Sequence, residues 1–210
     1  MKTDILTPKA RLLFPKLSHF KDIFYLAGGT SLALQIEHRV SIDFDLFSEF
    51  PIKKTLLKKV EEVFENKTRE ILVSNSKELT IIIDGVKCTF LHYPFKLILP
   101  LNESGPIPSL SVKEILAGKA YTIGRRGELK DYIDLYIGLK GGYASLREII
   151  NMATQKFGGG FNDRLFLEQL VYLDDIDEVQ ITMISGQAPS KSELIDYFRI
   201  IMSQSELLKS

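Results

Sequence analysis

Two aspartates, Asp43 and Asp45, are the residues whose type and spacing suggest chemistry most directly. They alternate with apolar residues in a segment, Ser41 to Phe47, whose pattern predicts a β-strand. Residues two apart on a strand share a face, with α-carbons about 6–7 Å apart, so the carboxylates would repel each other without a cation. The pair suits Mg²⁺ (or Mn²⁺), whose coordination substrate phosphates complete. A solvated polar strand face is the alternative interpretation.

A glycine pair upstream suggests a site for an anion. Gly28 and Gly29 follow a short apolar run read as a strand, and Thr30 begins a segment of helical composition. A glycine turn at a helix start exposes backbone N–H groups and lets a phosphate approach closely, and Thr30 could cap the helix or contact that phosphate. The alternative is an ordinary helix start. The order of the two motifs would bring an anion cradle and a metal site to the same end of neighbouring strands.

A second group of polar residues lies on two later helical segments. Lys119 falls within an apolar helical stripe, so its ammonium must reach solvent or meet a carboxylate or phosphate. In the next helical segment, Glu128 to Leu139, a narrow polar strip of Lys130, Asp131 and Asp134 interrupts an otherwise apolar circumference. This pattern suggests a cleft. The alternative is a solvent-facing ridge on which Lys130 pairs with Asp134.

The composition is that of an ordinary globular chain of 210 residues, with 45% hydrophobic and 26% charged residues. It excludes disorder, collagen and a disulfide scaffold. Lysine plus arginine and aspartate plus glutamate are both 27, so no overall basic field draws the protein onto nucleic acid. Basic residues near 53–59 and 113–130 could edge a groove for RNA, or form solvated helix faces.

The single cysteine, Cys88, is typical of a protein of the reducing cytoplasm. The start of the chain has no apolar leader segment, and no stretch approaches the roughly 18 apolar residues that cross a bilayer. We therefore expect a cytoplasmic protein with no membrane contact.

The elements that must position these residues run from strands early to helices late. Asp84-Gly85 is a preferred two-residue hairpin turn between two β-rich runs, which should join the strand carrying Asp43 and Asp45 in one sheet. The order predicts an α+β fold, a small mixed or antiparallel sheet flanked by helices with a mostly helical C-terminal half. A turn-rich connector, Asn102 to Ser109, predicts a core over residues 1–105 and a helical region over 106–210 packed on it.

The motifs together resemble a known family. The segment FYLAGGTSLALQIEHRVSIDFDLF is similar to the signature of the AbiEii/AbiGii toxin family, and EILAGKAYTIGRRGELKDYIDLY and YLDDID resemble that family's second and third blocks. These are nucleotidyltransferase-like components of abortive-infection and type IV toxin–antitoxin systems, within the polymerase-beta-type nucleotidyltransferase superfamily. The resemblance spans most of the chain.

The resemblance implies a nucleotidyltransferase-like fold and a cytoplasmic toxin that transfers a nucleotide from a nucleoside triphosphate to an RNA or protein acceptor. It implies Mg²⁺ (or Mn²⁺) at Asp43 and Asp45, nucleotide contact for Lys119, a polar or general-base role for Asp131, and a separately encoded antitoxin protein as partner. The nucleotide-binding residues that it implies are Gly28, Gly29, Thr30, Ser31, Arg39 and Lys119.

One departure from the superfamily concerns a third carboxylate. Polymerase-beta-type enzymes usually carry it on a neighbouring strand, and the corresponding segment, VKCTFLH, holds Thr89 with no acid nearby on that face. Either Asp131 or Asp134 substitutes, or metal binding is weak. A catalytically impaired nucleotide- or partner-binding module is therefore the alternative function, and a phosphohydrolase that uses the same metal site is a third.

Overall fold

The computed structural model describes residues 2–65 and 67–204. The chain divides into two compact units, Met1–Ser111 and Val112–Ser210. The first unit contains all five strands found in the described residues, and the second is helical. The helices of the described ranges include none with both the length and the apolar character of a membrane span.

In its described residues, the first unit is an open sheet with three α-helices. Its elements are α1 (Pro8–Leu13), β1 (Tyr25–Ala27), α2 (Gly28–Ile36), β2 (Phe44–Ser48), α3 (Thr55–Val63), β3 (Arg69–Ser74), β4 (Glu78–Ile83) and β5 (Val86–His92). A 3-10 helix over Phe14–Phe20 follows α1, since Pro15 removes an N–H that a continuing α-helix would use. Thr7 caps α1 by accepting a hydrogen bond from the backbone N–H of Ala10.

The sheet is mixed. Its strand order is β1-β2-β5-β4-β3; β2 and β5 are parallel, and the other three pairings are antiparallel. The β4–β5 hairpin turns at Asp84 and Gly85, whose φ angles of 51° and 85° are those of the type I′ turn that the sequence predicts. The α+β prediction with a small mixed sheet is confirmed.

One face of the sheet forms the core of this unit. Alternate strand residues such as Phe44, Ile81 and Phe90 are fully buried against the first helical segments and α3. The ring of Phe20, for example, lies 5.1 Å from that of Phe90 and 6.3 Å from that of Phe64. Because side chains alternate along a strand, the residues between these core positions face the other way.

The opposite face carries polar side chains, among them Asp45, which the sequence analysis proposes as a metal ligand. Asp45 on β2 and Thr89 on β5 are partly exposed there, and Lys87 is exposed. Asp43 lies one residue before β2, because the strand begins at Phe44 instead of at Ser41 as the alternation suggested. Strand β3, which had no counterpart in the sequence analysis, forms the far edge of the sheet with mostly exposed side chains.

The second unit is built from five α-helices in its described residues. They are α4 (Val112–Arg126), α5 (Leu129–Lys140), α6 (Leu146–Phe157), α7 (Asp163–Leu170) and α8 (Lys191–Gln204). A buried ion pair joins α4 to α6, with Nζ of Lys156 at 2.6 Å from Oε1 of Glu114. The sequence predicts the last helix to run to residue 208, and positions 205–208 lie outside the described residues.

Candidate functional site

Asp45 packs against the first residue of α2. Gly28 has a φ of +66°, and a Cβ added to it would lie 2.3 Å from Oδ2 of Asp45. Only glycine allows this approach, because any side chain would collide with the carboxylate and would also strain the backbone. The first turn of a helix presents unpaired N–H groups and the positive end of its dipole. The glycine turn therefore brings the carboxylate of Asp45 next to a helix start of the kind that can bind an anion.

The side chain of Thr30 holds the chain at Asp43. Its hydroxyl lies 2.6 Å from that of Ser41 and donates a hydrogen bond to the backbone carbonyl of Asp43. Thr30 and Ser41 are both buried. Thr30 therefore fixes the backbone of the first aspartate, and any phosphate contact by this residue would fall to its backbone N–H.

The carboxylate of Asp43 points to the open side of the sheet. Its side chain is 41% exposed, and Oδ2 lies 3.5 Å from Nζ of Lys87 on β5, whose side chain is 46% exposed. Exposed pairs at such distances contribute about 0–1 kcal/mol to stability. This ion pair therefore leaves Asp43 accessible to a ligand.

The two strands that flank β2, β1 and β5, carry no third acid. Thr89 is the Cα partner of Asp45 on β5, and its hydroxyl lies 3.4 Å from that of Thr80 on β4. Across the described ranges, no three or more His, Cys, Asp or Glu side chains form a group that could hold a metal ion. Carboxylates from Asp43 and Asp45 are nevertheless the hard oxygen donors that Mg²⁺ prefers, and Mg²⁺ is often held by one or two carboxylates plus phosphates and water. The residues fit an ion shared with a substrate.

Ser31 and Arg39 lie inside the fold near this site. Ser31 is fully buried and its hydroxyl accepts a hydrogen bond of 3.3 Å from the amide of Gln35. Arg39 is 7% exposed, and its guanidinium donates to the backbone carbonyl of Val40 at 3.3 Å. Gly29 continues the first turn of α2. These side chains support the segments between Gly28 and Asp43.

The second group predicted from the sequence forms a buried cluster within the helical unit. Nζ of Lys119 on α4 lies 2.6 Å from Oδ1 of Asp131 and 2.8 Å from Oδ2 of Asp134, both on α5. Burial alone would lower the pKa of Lys119, but the charges of Asp134 and Asp131 raise it above its usual range. Lys119 is therefore charged at neutral pH, and it has the carboxylate partners that its place in an apolar stripe requires.

Asp131 also caps α5. Its Oδ2 accepts a hydrogen bond of 3.0 Å from the backbone N–H of Glu128, within a capping box. Asp134 is fully buried, and Lys130 pairs with Glu128 at 2.8 Å, so the alternative of a solvent ridge with a Lys130–Asp134 pair is wrong. Burial raises the pKa of the adjacent Tyr132 to about 12, with the charge of Asp131 contributing.

The buried neighbour of the acidic pair is Cys88 on β5, on the core face. Burial raises the pKa of its thiol to about 12, and the charges of Asp43 and Asp45 add to the effect. The thiol is therefore protonated at neutral pH, which agrees with the interpretation of Cys88 as a small core residue.

Sequence reasoning missed Lys87 and Ser41. Lys87 lies beside Asp43 only because β2 and β5 are parallel neighbours, although more than forty positions separate them along the chain. Ser41 is paired with Thr30 by the return of the chain after α2. The signal that could have found Lys87 is its alternation with Thr89 on a predicted strand, which places both on one face.

Comparison with known proteins bears on this arrangement. Residues 11–105 match the family described as "Nucleotidyl transferase AbiEii toxin, Type IV TA system". The matched span includes the glycine turn and both aspartates. An uncharacterized protein of Aquifex aeolicus (strain VF5), aq_aa25, is 30% identical over 158 residues, which are 74% of this chain and 76% of that protein.

Two solved structures have a similar fold. JHP933 from Helicobacter pylori has a TM-score of 0.58 at 16% identity, over 97% of this chain and 96% of that one. MenT4, the nucleotidyltransferase toxin Rv2826c from Mycobacterium tuberculosis H37Rv, has a TM-score of 0.59 at 15% identity, over 90% of this chain and 80% of that one. At such identities the likeness is one of fold.

Proposed function

Because the chain belongs to the AbiEii family of nucleotidyl transferase toxins, we propose that it transfers a nucleotide from a nucleoside triphosphate to a hydroxyl group of an RNA or a protein. The observation that carries the proposal is the contact between Gly28 and Asp45. It supports one site in which a helix start that can bind phosphate adjoins two carboxylates that can bind a cation.

In the proposed reaction the acceptor oxygen attacks the α-phosphorus. A bond forms between them, the bond from that phosphorus to the bridging oxygen breaks, and pyrophosphate leaves with its electron pair. The acceptor's proton passes to a base or to water. Bound Mg²⁺ (or Mn²⁺) would neutralise charge on the phosphates.

In this scheme the residues of the chain bind the nucleotide and the cation and orient them. The backbone N–H groups of Gly29 and Thr30 hold phosphate, and Asp43 and Asp45 hold the cation. Ser31 and Arg39 take part as residues that support this turn. The Thr30 hydroxyl keeps the backbone at Asp43 in place.

Lys119 and Asp131 enter the proposal as a nucleotide contact and as a polar or general-base group. Each is engaged within the buried cluster, Lys119 with two carboxylates and Asp131 with Lys119 and the N–H of Glu128. Either role therefore requires the nucleotide to replace one of these contacts.

We also propose that the protein acts in the cytoplasm and that a separately encoded antitoxin is its partner. A search for an antitoxin gene beside this one would test the proposed partner.

The function is tested by incubating the protein with each labelled nucleoside triphosphate, Mg²⁺ and total cellular RNA or protein. We expect label to enter one of these acceptors, with pyrophosphate released, and Asp45→Asn to abolish the transfer. Release of inorganic phosphate without labelled acceptor would instead indicate a phosphohydrolase. Transfer that persists in Asp45→Asn would contradict the proposed site.

The position of Thr89 favours a second candidate function. With a hydroxyl where superfamily members usually have an acid, the chain could bind a nucleotide or a partner protein without turnover. Calorimetry separates the two candidates. Triphosphate binding that is unchanged by removing Mg²⁺ and by Asp43→Asn, with no transfer, would identify a binding module.

A further inference from the structure

The strands beside the acidic pair offer no third carboxylate. Asp45 pairs with Ala27 on β1 and with Thr89 on β5. The parallel register that joins Phe44 to Cys88 places Lys87 beside Asp43, one residue earlier on both strands. In two-metal sites, two cations about 3.5–4 Å apart clamp the attacking and leaving oxygens. Here Thr89 stands where the superfamily usually has its third acid, and the β5 side chain that lies beside Asp43 is that of Lys87.

The ammonium of Lys87 lies beside Asp43, one of the two proposed cation ligands. Its Nζ is 3.5 Å from Oδ2 of Asp43, and both side chains are close to half exposed. Its Cα partner on β4 is the apolar Ile82. Exposed ion pairs of this kind contribute little to stability, so folding alone gives little reason to place a cation there.

A charge comparison gives the lysine a role. A carboxylate together with a divalent cation carries a net charge of +1, which is also the charge of a lysine ammonium. Exchanging the third carboxylate and one divalent cation for a lysine therefore leaves the total charge around a triphosphate unchanged. Fixed positive charge beside a reacting phosphoryl group stabilises the charge that develops in the transition state.

We propose that the site binds one divalent cation, through Asp43, Asp45 and the triphosphate, and that the ammonium of Lys87 takes the place of a second. Lys87 then contacts phosphate oxygen as a point charge, as lysines do in other phosphate sites. This inference rests on the proposed function, since it concerns the same nucleotide. It adds the number of cations and a role for Lys87.

The number of bound cations is the direct test. The 210-residue chain is dialysed to equilibrium with Mn²⁺ and, in turn, the unreactive α,β-methylene analogues of the four ribonucleoside triphosphates. Mn²⁺ and analogue bound per chain are then counted. We expect one Mn²⁺ per chain with one analogue for the wild type, and two for Lys87→Glu, which replaces the ammonium with a carboxylate beside Asp43. Lys58→Glu, an exposed lysine on α3, makes the same charge change elsewhere and should keep one.

Each outcome has a distinct meaning. Two Mn²⁺ per chain in the wild type, or one in Lys87→Glu, overturns the inference and leaves the proposed function standing. Binding of neither Mn²⁺ nor any analogue to the wild type overturns the proposed function, and the inference with it. Thermal unfolding of all three proteins checks that they are folded.

A second measurement tests the contact with phosphate. Lys87→Met removes the charge but keeps much of the side-chain length, and Lys87→Arg keeps the charge. In the presence of Mn²⁺ we expect Lys87→Met to weaken binding of the analogue by about tenfold, the lower range for a lost charge-assisted hydrogen bond, and Lys87→Arg to restore most of it. Equal affinity of Lys87→Met and the wild type would overturn the assignment of Lys87.

Discussion

Each unit contains a lysine that forms an ion pair with aspartate, and the two groups differ in how deeply they are buried. In the first unit, Lys87 meets Asp43 at 3.5 Å on an open sheet face, with both side chains close to half exposed. In the helical unit, Lys119 meets Asp131 and Asp134 at 2.6 and 2.8 Å, with side-chain exposures of 9% or less. The same residue types thus form one site that is open to ligands and one that is closed.

The difference teaches what each group can do without rearrangement. Charges in a closed cluster have lost their water, so they depend on one another and removing one is costly. Charges on an open face keep much of their hydration, so their pairing adds little stability and a ligand can replace it. Substitutions in the closed cluster should therefore affect folding most, and substitutions on the open face should affect binding most.

The largest effect is expected from Lys119→Met. It leaves two buried carboxylates without their cation, so we expect the free energy of unfolding to fall by about 3–5 kcal/mol. Urea denaturation followed by circular dichroism measures the loss. Lys130→Met is the matched control on the surface of α5 and should change stability by less than about 0.5 kcal/mol. A loss below about 1 kcal/mol for Lys119→Met would mean that the cluster is not closed.

Asp43→Asn should show the opposite behaviour. Replacing residues that only support metal ligands commonly costs about tenfold to a hundredfold in metal affinity, so loss of a ligand should cost at least as much. We expect that loss in Mn²⁺ binding with the nucleotide analogue, and a change in unfolding free energy within about 0.5 kcal/mol. Asp22→Asn, an exposed aspartate before β1, serves as the control. A large loss of stability with unchanged Mn²⁺ binding would reverse the comparison.

Thr30→Val tests the link between the buried interior and the open site. The substitution keeps the shape but removes the hydroxyl that bonds to Ser41 and to the backbone of Asp43. We expect a loss of about 1–2 kcal/mol in stability, and weaker Mn²⁺ binding because Asp43 is less firmly held. Thr30→Ser keeps the hydroxyl and should preserve both. If the valine variant binds Mn²⁺ as the wild type does, Thr30 has no part in positioning Asp43.

Tyr132→Phe should have the smallest effect at neutral pH. The buried hydroxyl has no hydrogen-bond partner among the described residues, so its removal should leave stability unchanged or raise it by up to about 1 kcal/mol.

The effect of this variant should grow at alkaline pH. Burial raises the pKa of Tyr132 to about 12, whereas the unfolded chain releases that proton near pH 10. The unfolded state therefore loses protons first, and the stability of the wild type falls between pH 10 and 12. The phenylalanine variant should lose less over that interval. Parallel stability curves for the two proteins would contradict the assignment.

Local signals allowed much of the first unit to be predicted. The Asp84-Gly85 turn requires positive φ angles and predicts its hairpin, and the Thr7-Pro8 start predicts α1. The glycine pair and the two aspartates are encoded by short patterns. Strand β3 was missed because its side chains from Arg69 to Ser74 are mostly exposed and show no apolar alternation.

The pairings between distant residues could not be predicted. Asp134 was visible on a polar strip, but its contact with Lys119 depends on how α4 packs on α5. Lys156 and Glu114 lie 42 positions apart and form their buried pair through the packing of α6 on α4. Lys87 reaches Asp43 through the parallel register of two strands that are not consecutive. Sequence periodicity gives the face of an element and leaves its partner open.

The reactivity of the buried Cys88 can be used to follow the opening of the sheet. Its thiol is sealed under β5, and a thiol with a pKa near 12 reacts with alkylating reagents only when the strand comes loose. Because the chain has no other cysteine, the rate of labelling measures how often β5 opens. A ligand that binds to the open face of the same strand should slow this labelling. The labelling rate of a core residue would then report whether the open face is occupied.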